Sequence, residues 1–181
     1  TFIKDIISDN IMLGDIYMRA KELRVGADIP RGVFVVRSLK KGESVPTDTV
    51  QALFPDRQSD FVLSVGDGDV ALIRQMPEGS NVKELNKIAV SIEEALRVEG
   101  ESTVVVGIGT IAIHLRDLAK SYKEAQIAIE VGKVFDTEKY VINYENLGIG
   151  RLIYQLPTTL CEMFLQEVFK KNPIDALDRE T

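Results

Sequence analysis

Residues 60–75 limit the possible folds more than any other stretch of this chain. Phe61, Leu63 and Val65 alternate, Gly66-Asp67-Gly68 offers a tight turn, and Val70, Leu72 and Ile73 follow. Two apolar runs joined by so short a Gly/Asp segment read as an antiparallel β-hairpin. A chain that places such a hairpin between helical segments cannot form a purely parallel, doubly wound sheet. The expected core is an α/β sheet containing antiparallel strands, with the hairpin central to it.

The flanking pattern supplies the other elements. Val33, Phe34, Val35 and Val36 are consecutive, so a strand over 32–39 is expected to be covered on both faces. A short helix after Pro46 carries Val50, Leu53 and Phe54, with Thr47 the expected N-cap and Pro55 the stop. Asn81 followed by Glu84 has capping-box spacing, and Leu85, Ile88, Ala89, Ile92, Ala95 and Leu96 form one stripe ending near Gly100. Residues 103–106 are again a continuous apolar strand. Leu115, Leu118, Tyr122, Ala125 and Ile129 then recur at helical spacing, and Tyr140, Ile142 and Tyr144 alternate in a last strand.

The series from Arg31 to Tyr144 contains β-α-β-β-α-β, the ferredoxin-like or split βαβ order, with one further α-β. Helical patterns lie outside it at both ends. Residues 1–25 carry Ile3, Ile6, Ile7, Leu13, Ile16, Tyr17, Ala20 and Leu23, interrupted at Asp9, Asn10 and Gly14, so they read as two helices or one kinked helix. From about Gly150 the stripe is Ile153, Leu156, Leu160, Phe164 and Val168, with Pro157 breaking it. The division is therefore a helical segment over 1–26, a domain over 31–147 and a helical segment over 150–181.

Charge and composition exclude several functions. The formal net charge is −6, so a duplex-binding surface is not expected on this chain. Arg37, Lys40 and Lys41, and separately Lys170 and Lys171, read as solvated surface groups. Cys161 is the single cysteine, which rules out an intrachain disulfide and points to a reducing compartment, the cytoplasm. It sits in an apolar helical context and reads as an inert buried thiol. His114 is the single histidine, so a His-rich metal site is impossible, and it reads as structural or surface. No apolar run reaches the ~18–20 residues of a membrane span, and the N-terminus has no signal-peptide pattern. Because the chain does not begin with Met, it is expected to be a piece of a longer protein.

Gly107-Ile108-Gly109-Thr110-Ile111-Ala112 matches the G-x-G-x-x-A form of a dinucleotide-binding turn. In such a turn the glycines let backbone approach a pyrophosphate at a helix N-terminus. That turn belongs after the first strand of a parallel unit, and this one follows a hairpin and a helix. The acidic residue expected about 20 positions on falls inside a helix, at Glu130. Gly107 and Gly109 are therefore read as a tight strand-to-helix turn with a structural role, and the dinucleotide site is the alternative.

Val65-Gly66-Asp67-Gly68-Asp69-Val70 within this order of elements resembles the GGDEF hairpin of diguanylate cyclases. Val104-Val105-Val106-Gly107-Ile108-Gly109 resembles that family's strand ending in Ser-Ile-Gly. Residues 121–128 are similar to its Ala-Asp-x-Ala-Leu-Tyr helix, and Gly132-Lys133 with residues 140–144 to its closing turn and strand. The resemblance implies a nucleotidyl-cyclase-like fold. It also implies where catalytic metal ions would bind, on carboxylates of the first strand and of the hairpin. The first strand here has no acid. Aligning Val70 with the family's Phe puts Gly68 at the hairpin acid, with Asp69 one place on. Asp67 and Asp69 then read as turn residues, and the GGDEF hairpin as degenerate.

The helix around Ser121-Tyr122-Lys123-Glu124-Ala125, with Tyr144-Glu145-Asn146-Leu147-Gly148 and residues 151–156, also resembles the middle region of bacterial carbohydrate diacid regulators of the CdaR/PucR type. In those proteins a GGDEF-like domain lies between an N-terminal sensory domain and a C-terminal helix-turn-helix. Residues 176–181 resemble the lead-in to the DNA-binding helices. The resemblance implies a non-enzymatic relay and dimerisation module of a transcriptional regulator, with no metal and no cofactor. DNA would be contacted only through a further domain. The effector is not identified, and no membrane association is expected. Ile16, Tyr17, Leu156, Leu160 and Phe164 are the expected dimer-helix residues, the alternative being that both terminal helices fold back on their own sheet. The alternative is a nucleotide-binding or residual cyclase-like enzyme domain.

Overall fold

The computed structural model describes residues 1–99, 102–134 and 139–148. At its centre is β1, Arg31–Ser38, whose first six residues are all buried. Successive side chains of a strand point to opposite faces, so a run of four apolar residues needs cover on both sides. Phe34 and Val36 face one layer, made by α3 (Thr47–Leu53) and α4 (Val82–Val98), through Val50, Phe54, Leu85, Ala89, Ile92 and Leu96. Val33 faces the other layer, made by α1 (Phe2–Ile7), α2 (Leu13–Glu22) and the start of α5 (Leu118–Val134). Val35 packs on Ala125, Ala128 and Ile129 of α5.

The hairpin forms as expected, from β2 (Asp60–Val65) and β3 (Asp69–Gln75), paired antiparallel with Val65 opposite Asp69. With β4 (Val104–Ile108) and β5 (Val141–Asn143) the sheet order is β2-β3-β1-β4-β5. The first four strands pair antiparallel throughout, and β5 adds parallel to β4. This is the split βαβ arrangement with one further α-β unit. The hairpin is not central, however. β1 takes the middle and the hairpin supplies one edge, because β4 returns to the other side of β1.

The local signals are partly as expected. Asn81 caps α4 through the amides of Lys83 and Glu84, while Glu84 reaches back to the Asn81 amide, completing a capping box. Thr47 is not a cap. It is the first helical residue of α3, and Pro46 precedes it without a side-chain bond. Proline's fixed φ prepares the entry instead. The N-terminal segment is two helices. Phe2, Ile3, Ile6, Ile7, Ile16 and Ala20 are buried against their own sheet, so Ile16 belongs to the core. Tyr17 and Leu23 remain exposed. Gly100, Cys161 and the stripe containing Leu156, Leu160 and Phe164 lie outside the described residues. No helix among the described residues is long and apolar enough to cross a membrane.

Candidate functional site around the hairpin turn

β1 ends beside the hairpin turn. Val36 lies opposite Val70, which brings the next residue, Arg37, alongside Asp69. The turn itself needs glycine twice. Gly66 has φ +54° and Gly68 φ +108°, conformations that carry a steric cost for residues with a Cβ. Gly68 also lies against Ser44, and its carbonyl accepts from the Val45 amide at 2.8 Å, tying residues 40–46 over the turn. Asp67 is exposed at the tip.

Asp69 is more than a turn residue. Arg37 Nε donates to both its carboxylate oxygens at 3.3 and 3.1 Å, and Arg37 Nη2 donates to Oδ2 at 3.0 Å. On its other edge, Arg37 Nη1 donates to Glu130 Oε1 of α5 at 2.6 Å. One guanidinium thus bridges the hairpin and the helix across the end of β1. Burial alone would lower the Arg37 pKa, but bonding to Asp69 and then to Glu130 outweighs it and the net shift is upward. The neighbouring Tyr122 phenol is raised, first by burial and then by the Asp69 charge, against an opposing effect of Arg37.

Arg37 was expected in a solvated basic group, and Glu130 only as a misplaced dinucleotide acid; their partnership was missed. The available signal was weak: an arginine closing an apolar strand next to a hairpin that carries acids. Only the fold brings residue 130 to meet them.

Gly107 and Gly109 have a different reason to be glycine. Gly107 lies inside β4, not at a turn, and α5 begins only at Leu118, after a 3₁₀ turn over Leu115–Asp117. A Cβ on Gly107 would strike the Ala125 carbonyl oxygen, and one on Gly109 the Ser121 carbonyl oxygen. The glycines let α5 lie directly on β4. The faces that would cradle a pyrophosphate are filled by helix backbone. β4 also runs antiparallel to β1, so the dinucleotide alternative does not hold. Beyond Gly109, the buried Glu124 accepts from the Thr110 amide at 3.2 Å and its hydroxyl at 2.6 Å. Ser121 Oγ donates to the Thr110 carbonyl at 2.5 Å.

Beside Arg37 an open cleft of about 940 Å³ lies between the ends of β1, α5 and β5. Lys41, Lys133 and Lys139 line it with Tyr140, over a floor of Val105 and Ile142. It is a cationic recess on an otherwise acidic chain. His114 is elsewhere, with Nδ1 2.7 Å from Asp28 Oδ1.

These residues do not fit a catalytic divalent cation. Among the described residues no three His, Cys, Asp or Glu side chains converge as a metal site requires. Of the acids at the hairpin end, Asp69 and Glu130 face Arg37, and the first strand supplies none.

Comparison with known proteins agrees with the topology. No curated protein matches the chain. The model of the GGDEF-like domain matches residues 9–131, which takes in α2, the hairpin, β4 and most of α5. A five-stranded mixed sheet, a degenerate hairpin beside the end of the first strand and this match together place the chain in the GGDEF-like domain family.

Proposed function

We propose that this domain is a non-catalytic regulatory module of a bacterial transcriptional regulator of the carbohydrate diacid type, working in the cytoplasm. The observation that carries this reading is the Arg37 bridge to Asp69 and Glu130. Phosphoryl transfer relies on positioning and on metal ions that neutralise developing charge. Here an internal cation lies where the hairpin acid would otherwise be available to a metal, so the geometry favours a fixed structural joint. The module would relay a signal between flanking domains and self-associate, using exposed Tyr17 and Leu23 of the N-terminal segment together with the apolar stripe over 150–168. DNA contact would belong to a domain beyond this chain.

The direct test is incubation with GTP and Mg²⁺ or Mn²⁺, read by mass spectrometry for cyclic dinucleotide. No product is expected. Product that disappears in Asp69→Ala would overturn the non-catalytic reading.

A second reading rests on the cationic cleft. Lys41, Lys133 and Lys139 suit the phosphates of a nucleotide held without turnover. If so, GTP without metal raises the melting temperature of the chain, and Lys133→Ala abolishes the rise.

A further inference from the structure

The opposite end of β1 holds a charge without a partner among the described residues. Arg31 is 1% exposed, and its Nε and Nη1 have no acceptor there. Its main chain is satisfied, since Arg31 and Ala112 exchange both backbone bonds at 2.8 Å. The orphan groups are therefore those of the guanidinium alone. The segment over residues 23–30 passes close to it at Gly26, where a Cβ would come 3.9 Å from Arg31 Nη2. This stretch is held by the Leu115 amide on the Ala27 carbonyl and the Met76 amide on the Pro30 carbonyl, both at 2.9 Å. Its single acid, Asp28, is mostly exposed and faces His114 instead.

A buried polar group without a partner costs free energy, and a buried charge costs more. Arginine cannot escape by losing its proton, because its ordinary pKa is too high for burial to bring it near neutrality. Nε shares one gripping edge with Nη2 and Nη1 shares the other, so a carboxylate on either edge takes one of the two orphan donors together with Nη2.

We propose that Arg31 anchors a binding site for a small monocarboxylate, taken up beneath residues 23–30. One cation balances one negative charge. A sulfate or phosphate dianion would leave a second buried charge uncompensated. Val25, Ala27 and Ala112, which belong to the apolar cluster on this face, suit a short apolar tail. The segment connects α2 to β1, so lifting it leaves the sheet pairing intact. The site lies at the far end of β1 from Arg37 and does not depend on what the hairpin end does.

The test uses the ¹⁵N-labelled chain with sodium butyrate as probe, against chloride and sulfate at equal ionic strength. The arginine Nε–H resonance missing from Arg31→Met identifies the group. This resonance is expected to move saturably with butyrate and to stay fixed with sulfate. Butyrate should also raise the melting temperature of the parent chain, and Arg31→Met should bind it at least roughly tenfold more weakly, the loss of one or two charge-assisted hydrogen bonds. Arg31→Met is expected to fold, because an apolar replacement of a buried charge is commonly neutral or stabilising. Should it not fold, the resonance, assigned by triple-resonance methods, still decides. Equal response to all three anions, an unchanged response in Arg31→Met, or a resonance that contacts only water and ignores butyrate would each overturn the proposal.

Discussion

Deleting the Arg37 guanidinium leaves two carboxylates, Asp69 and Glu130, facing each other across the end of β1. The side chains are 29%, 14% and 37% exposed for Arg37, Asp69 and Glu130, so solvent screens part of the effect. Arg37→Met should destabilise by about 1–2 kcal/mol in urea unfolding, less than for a fully buried pair. Adding Asp69→Asn and Glu130→Gln to it should recover much of that loss, since the repulsion goes with the charges. Asp60 gives the pH signature. Burial raises its pKa above the ordinary carboxylate value even though Arg74, which donates to it at 2.8 Å, pulls the other way. A carboxyl whose folded pKa is raised contributes stability that is complete below the unfolded pKa and is lost as pH rises through the folded one. The parent chain should therefore gain stability relative to Asp60→Asn on acidification through that window. Paired urea titrations at about pH 7 and about pH 4 check the sign.

At the scale of elements, the glycines divide sharply by surroundings. α5 rests on β4 at Gly107 and Gly109, and the nearest atom a Cβ would meet at each is a carbonyl oxygen of the helix backbone. Gly107→Ala should destabilise by about 1–3 kcal/mol, or more if the helix cannot lift. Gly14, in α2, has open space around it, and Gly14→Ala should stabilise by about 0.5–1 kcal/mol. Chemical denaturation of the two variants side by side checks both directions. The same contrast shows how far the sequence could be read. The hairpin and the Asn81 capping box rest on residues within a few positions of one another, and both were legible. The need for glycine at 107 and 109 was legible too, but its cause was not, because the obstructing atoms come from residues 121–129. Strand order was hidden for the same reason: nothing in the alternation of 60–75 says which neighbour β3 will find. At the candidate site, Gly66 and Gly68 were readable from turn chemistry, while the Asp69–Arg37–Glu130 joint needed three distant segments brought together.

For the molecule as a whole, the N-terminal helices change the question of self-association. Ile6 and Ile16 belong to the core, which leaves Met12, Leu13, Tyr17, Met18 and Leu23 as the outward large apolar groups of that segment. A stable interface needs on the order of 1,000 Å², so a pairing surface built on this segment would need these side chains to act together. Sedimentation velocity at micromolar concentration is expected to show a dimer. A single 20.1 kDa species would show that this chain does not pair with itself.

The central place of β1 also sets an order of events in time. Its two partners arrive late: Arg31 waits for Gln75, and Phe34 for Ile108. During synthesis at about 5–20 residues per second, Val33 to Val36 leave the ribosome with neither flank available. They stay unpaired for seconds, an apolar β-prone segment open to other nascent chains. Contacts so distant along the sequence also slow closure once the chain is complete. Quick binding by a chaperone in that interval should therefore raise the yield of folded protein more than any later treatment.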